Sequence, residues 1–231
     1  LHQRLREELA GLTGNDARVA ELESELVALR EQYDAAADEL SAARRKAATS
    51  LTKKAEKQLI ELAMEHCKLK VALRERESSD PHPLGREEIE LLVSTNPGQE
   101  PRALGKIASG GELSRISLAI QVVSANADTV PSMIFDEVDV GIGGAVAEVV
   151  GRLLRDLASS CQVLCVTHLP QVAAQGHQHL RVSKTADKKQ ALADLQQLKA
   201  KERVEEIARM LGGIDITDKT RAAAREMLAK T

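Results

Sequence analysis

Ala108–Arg115 reads ASGGELSR, and further along Met133–Asp139 reads MIFDEVD. The first stretch sets a serine and two glycines ahead of an apolar helical run at Leu113, Ile116, Leu118, Ala119, Ile120, Val122 and Val123. A serine and a glycine pair at a helix start leave backbone N–H groups uncovered and close to a ligand, the usual chemistry of a phosphate contact. The second stretch is a short apolar strand ending in adjacent carboxylates, Asp136 and Glu137, where a metal-bound nucleotide fits. A further apolar strand, Val163–Thr167, runs into His168. A Ser-Gly-Gly alone is weak evidence; the whole set in this order is specific.

The pattern GxxxxGK[ST], whose backbone cradles a triphosphate as a P-loop, occurs nowhere in the chain. The chain is therefore expected to carry one half of a nucleotide site and to be inactive alone. It opens at Leu1 inside a helical pattern and reads as the C-terminal portion of a longer protein. With 231 residues it has room for one ordinary domain plus an extension. A net charge of −3, with both signs throughout, gives no global basic field, so DNA contact must come from local patches or the missing half. Cys67, Cys161 and Cys165 form no CxxC pair, which fits a reducing cytoplasm. No apolar run approaches the length of a membrane span. Tyr33 and Phe135 are the only aromatics, so the core must be aliphatic and stacking platforms for single-stranded bases are not expected.

Val19, Leu22, Leu26, Leu29, Tyr33, Ala36, Leu40, Ala43 and Ala47 recur in alternating steps of three and four, an a/d seam of about four heptads. Asn15 or Asp16 after Gly14 is the expected cap, following a break at Gly11–Gly14, and the helix should run to about Met64. At 1.5 Å per residue it spans roughly 70 Å, so its seam needs a partner helix. Residues 1–64 read as a coiled-coil arm, and 65–231 as an α/β lobe. Strands are expected at Lys68–Arg74, Glu88–Ser94, Gln162–Thr167 and His179–Lys184, with helices at Gly144–Ser159, at Leu169–Gln175, around Val204–Leu211 and from Thr217 to Leu228. Ala191–Gln196 fits either a strand or a helix start.

Asp136 is placed to hold Mg²⁺, directly or through water, and Glu137 to orient and deprotonate the attacking water. The bland alternative is a solvated acidic loop after a core strand. Read from the residues alone, Asp139 is a loop aspartate that caps the next helix, a role compatible with others. His177 and His179 lack a carboxylate or cysteine at ligand spacing and read as surface or core histidines. Arg44, Arg45, Lys46, Lys53 and Lys54 form the most basic stretch, either a DNA-phosphate contact or a solvated helix face.

An arm followed by this lobe resembles the structural-maintenance-of-chromosomes (SMC) branch of ABC ATPases. Within that branch the sequence is similar to the RecN family of bacterial DNA-repair proteins. The resemblance rests on Ser94–Gly98 (STNPG), Lys106–Arg115 (KIASGGELSR), Ile134–Gly144 (IFDEVDVGIGG), Val166–Ala173 (VTHLPQVA), Gly176–His179 (GHQH) and Glu206–Gly213 (EIARMLGG). It implies that Ser109, Gly110, Gly111 and Glu112 form a signature motif facing ATP held by another subunit. It makes Met133–Glu137 the Walker B strand, Asp139 a D-loop residue at the dimer interface, and His168 the H-loop histidine on the γ-phosphate. Arg115 would contact that phosphate or an acidic group of its own lobe.

The implied activity is ATP hydrolysis with Mg²⁺ by a homodimer of heads, each site completed by the missing N-terminal lobe. The implied role is double-strand-break repair and recombination through binding and tethering of DNA ends, in the bacterial cytoplasm at the nucleoid. The other readings are another coiled-coil ABC-type chromosome or repair ATPase, or a non-enzymatic coiled-coil scaffold.

Overall fold

The computed structural model describes residues 2–107, 109–124, 130–187, 190–213 and 215–230, with the backbone alone at 3–17, 184–187 and 190–192. Ala108 of the signature stretch therefore lies outside the described residues. The chain divides into two compact units: Leu1–Ser50 with Val71–Glu90, and Leu51–Lys70 with Leu91–Thr231.

The first unit is a helix with a hairpin tip laid along it. Helix α1 runs unbroken over His2–Glu61 and continues into the second unit. The expected break at Gly11–Gly14 and the cap at Asn15 or Asp16 do not occur. Each interior glycine costs about 1 kcal/mol relative to alanine. With Thr13, Asn15 and Asp16 this stretch is a weak helix former, but it holds no proline and good helix formers flank it at Glu7–Ala10 and from Ala17 onward. The tip of the hairpin formed by β1 (Lys68–Glu75) and β2 (Glu87–Ser94) covers the stripe Tyr33, Ala37, Ser41 and Arg44. Tyr33 Oη accepts the His82 N–H at 3.1 Å, Arg30 donates to the Ser79 carbonyl at 3.0 Å, and Arg86 forks between Asp34 and Asp38. Gly85 has a positive φ of 79°, and a Cβ there would lie 2.9 Å from Leu40 Cδ2, so the turn needs glycine. Of the heptad residues, Val19, Leu22, Leu26 and Leu29 stay exposed on the stretch of α1 that precedes the hairpin contacts, and Leu40 is partly exposed beside Gly85.

The second unit has a mainly aliphatic core that takes in Ala55 and Leu59 from the end of α1 and Leu62 just after it. Strand β2 pairs antiparallel with the short β3 (Arg102–Ala103), which leads through a single 3-10 turn at Leu104–Lys106 towards helix α2 (Gly110–Ser124). A βαβ unit follows: β4 (Ser132–Phe135), α3 (Gly144–Leu157) and β5 (Gln162–Cys165), with the strands parallel and Phe135 opposite Cys165. Helix α3 buries Ala147, Val150, Leu154 and Leu157, an amphipathic spacing that presses one face on the core.

Helix α4 (Pro170–Gln175) comes next, then the antiparallel pair β6 (Leu180–Asp187) and β7 (Gln190–Gln197), so Ala191–Gln196 is strand. Helices α5 (Ala200–Gly212) and α6 (Asp218–Ala229) close a smaller core of Ala173, Ala174, Ile207, Ala208 and Ala224. Gly213 ends α5 at φ 67°, and Thr217 caps α6 by accepting the Thr220 N–H, as the sequence suggests. No described helix is long and apolar enough to cross a membrane.

Candidate functional site: a helix start, an acidic strand end and a histidine

The start of α2, the turn after β4 and the residues after β5 meet in the second unit. Ser109 caps α2: its hydroxyl accepts the Glu112 N–H at 3.4 Å and its carbonyl the Leu113 N–H at 3.0 Å. Ser109 and Gly110 are exposed, Gly111 is buried, and Glu112 is half-buried on the first turn. A Cβ at Gly111 would press to 3.2 Å on the Val140 carbonyl and 3.3 Å on that of Glu137; a Cβ at Gly110 would overlap the Glu137 carboxylate. The glycines thus let the helix start seat directly on the turn that follows β4. Two side chains tie the same elements together. Ser114 Oγ donates to the Asp136 carbonyl at 2.7 Å, and Arg115 to the Val140 carbonyl at 2.8 Å. Arg115 therefore turns to the backbone of its own lobe rather than to an acidic group. Burial, opposed by nearby Glu112, holds its guanidinium below the usual range.

Asp136 and Glu137 leave the end of β4 exposed to solvent. Asp136 Oδ1 accepts the Glu137 N–H at 2.9 Å, and Glu137 sits at φ 58°, a left-handed conformation that L side chains rarely adopt. That backbone turn carries its carboxylate back over Gly110.

Asp139 is the buried member of the group, only 2 % exposed. Its Oδ2 accepts the Thr167 hydroxyl and, at 3.1 Å, the His168 N–H, and His168 Nδ1 lies 3.4 Å away. The capping role is thereby overturned: Gly143 precedes α3 without a side-chain cap, and the Asp139 carboxylate is committed to the loop after β5. The His168 imidazole itself stays largely exposed, at 68 %. Sequence reasoning missed Thr167, Ser114 and the inward turn of Asp139. Only the Val-Thr-His order hinted at the first.

The remaining candidates lie elsewhere. Arg44 is spent on Glu87 at 3.2 Å and the Leu84 carbonyl at 2.8 Å, and Arg45 reaches 4.0 Å from Glu87, while Lys46, Lys53 and Lys54 stay exposed. His177 is exposed; His179 is half-buried, and burial, followed by the nearby Arg203, lowers its basicity. Burial, with Asp139 and Asp136 nearby, pushes the Cys165 thiol up to about 12. Among the described residues no three His, Cys, Asp or Glu side chains cluster at metal-binding distance.

No protein-family model matches the chain. It is 47% identical over 225 residues to the DNA repair protein RecN of Xylella fastidiosa (strain 9a5c), an alignment covering 97% of this chain and 40% of that protein. It is 46% identical over 227 residues to the RecN of Vibrio cholerae, covering 98% and 41%. The Smc head domain with a coiled coil and joint derived from Pyrococcus yayanosii shares the fold at a TM-score of 0.50 and 18% identity, over 71% of this chain and 29% of that one. The chain thus combines an SMC-head fold, α/β with a long N-terminal helix, with RecN sequence. It spans about 40% of the length of the curated relatives it matches, and over that span its sequence belongs to the RecN family.

Proposed function

We propose that this chain is the signature-bearing part of an ATP-hydrolysing head in an SMC-like DNA-repair protein. Its heads would dimerise around ATP and couple that closure to the binding and tethering of broken DNA ends. The observation that carries this reading is the packing of the Ser109–Gly111 helix start on the Asp136–Val140 turn, with Asp139 holding His168 beside it. Phosphate is the ligand that a helix start such as this one, exposed at Ser109 and Gly110, favours.

Mg²⁺ fits the donors present. It is held by one or two carboxylates plus phosphate and water rather than by an all-protein cage. Asp136 offers an exposed carboxylate with Oδ1 already taken by a backbone N–H. When bound, the ion neutralises charge on the phosphates.

Glu137 accepts the proton of the attacking water once its carboxylate leaves Gly110, yielding ADP and phosphate. His168 meets the γ-phosphate, its ring oriented by Asp139. The Asp139 carboxylate stays anchored in its own lobe while the surrounding D-loop backbone reaches the partner's nucleotide.

The test is complementation in the full-length protein. Ser109→Arg puts a bulky cation on the helix start and should block head closure while leaving that subunit's own ATP binding intact. Mixed with a P-loop variant, it should restore one working composite site per heterodimer, although each variant alone is dead. A Ser109-to-P-loop crosslink trapped with ATP should form between subunits. Its absence in heads shown to be closed removes the sandwich mechanism.

A further inference from the structure

We infer that Arg155 and Arg203 are positioning residues for His168, acting through the short helix that follows it. The inference rests on the reading of His168 as the γ-phosphate contact. Helix α4 has six residues, Pro170–Gln175, too few to hold a helical segment by its own hydrogen bonds. Its place must be imposed from outside, and His168 stands two residues before it.

On the N-terminal side the imposed contacts are those of the site. Asp139 holds Thr167 and His168, and Thr167 Oγ1 accepts the Leu169 N–H at 3.0 Å.

On the C-terminal side, a helix end leaves carbonyl oxygens without partners. Here four successive carbonyls are taken up by two guanidinium groups from two other helices. Arg155 on α3 donates to Gln175 O at 2.6 Å. Arg203 on α5 donates to Ala174 O at 3.3 Å, Gly176 O at 2.7 Å and His177 O at 3.4 Å. Cations at this end of a helix also match its dipole.

Among the described residues neither arginine is ion-paired with a carboxylate, and the buried Arg203 Nε has no hydrogen-bond partner. Burial, with Arg155 close by, holds the Arg203 guanidinium below its usual range. Two like charges and an unsatisfied donor are a costly way to pack a helix. Packing alone is already supplied at Gly151, where a Cβ would lie 3.1 Å from Gln171 O and 3.2 Å from Val172 Cα. What the arginines add is a fixed axial position for α4. The main chain from Pro170 back to His168 follows that position, so His168 is anchored by Asp139 on one side and, through α4, by the arginine pair on the other. A misplacement of about 1 Å is enough to cost a catalytic group much of its effect.

The test uses the full-length protein and its ATPase. Arg203→Met and Arg155→Met should each lower kcat about tenfold or more, while the ATP Kd and KM stay within about twofold. Arg203→Lys, which keeps the charge but cannot reach three carbonyls, should fall between Met and wild type. The deciding measurement is the double-mutant cycle. On a His168→Ala background, Arg203→Met should change kcat by less than about twofold, because the group it positions is gone.

An equal loss on both backgrounds, or a wild-type kcat for both arginine variants, overturns the inference. Wild-type turnover by His168→Ala alone instead overturns the reading of His168 on which it rests. Should Arg203→Met unfold, Arg155→Met, which loses one carbonyl contact only, carries the same comparison.

Discussion

Glu137 shows how the site keeps a strained residue. Its φ of 58° costs an L residue roughly 1–2 kcal/mol, and asparagine is one of the few side chains that enters this region readily. Glu137→Asn should therefore leave the chain equally stable, or more stable by up to about 1 kcal/mol in thermal unfolding. In the full-length protein the same change should slow hydrolysis by about two orders of magnitude with ATP binding retained, the scale of losing a general base. A marked drop in Tm would show that the carboxylate over Gly110 stabilises the turn rather than straining it. The residue types at the site were legible in the sequence because helix starts, strand ends and adjacent carboxylates are local patterns. Their directions were not. Asp139 turns inward to Thr167 and His168, Arg115 turns to Val140, and Glu137 folds back over Gly110, and each depends on contacts with chain segments distant in sequence.

At the scale of elements, periodicity carried most of the reading, and local turn signals failed where the longer helix overrode them. The strands β4 and β5, the helix α3 between them and the cap at Thr217 follow from apolar runs and turn chemistry. The short β3 pairs with β2 over two residues only, a register that no local pattern announces. Helix α1 is the instructive difference, because Gly11, Gly14 and the capping residues after them look like an end and a new start. The continuous helix makes a discriminating prediction. Gly14→Ala should stabilise the arm helix by about 1 kcal/mol, read as a higher midpoint for the loss of far-ultraviolet helical signal. A helix that truly restarted at Asn15 would lose stability on that change, because the residue before the cap would forfeit its conformational freedom. A lower midpoint therefore counts against the unbroken helix.

For the whole molecule, two separate apolar surfaces stand uncovered. One is the arm seam, with Val19, Leu22, Leu26, Leu29 and Leu40 exposed. The other is a face of the parallel pair β4–β5, where Ile134 and Leu164 are exposed, with Val166 exposed just past β5. Parallel strands normally have both faces covered, and a heptad seam normally has a partner helix. Burying each such side chain is worth about 1.5–3 kcal/mol, so either surface suffices to drive association at high concentration. The chain by itself should therefore sediment as oligomers. Replacing Leu22, Leu26 and Leu29 by glutamate should weaken that association without abolishing it, because the strand face remains. Replacing Ile134 and Val166 by lysine should do the same through the arm. Only the combined variant should run as a monomer, provided its circular dichroism matches that of the parent. A monomeric parent at high concentration would count against both surfaces. A seam variant that is already monomeric would leave the strand face without a role in association, and would place the whole drive for pairing in the arm.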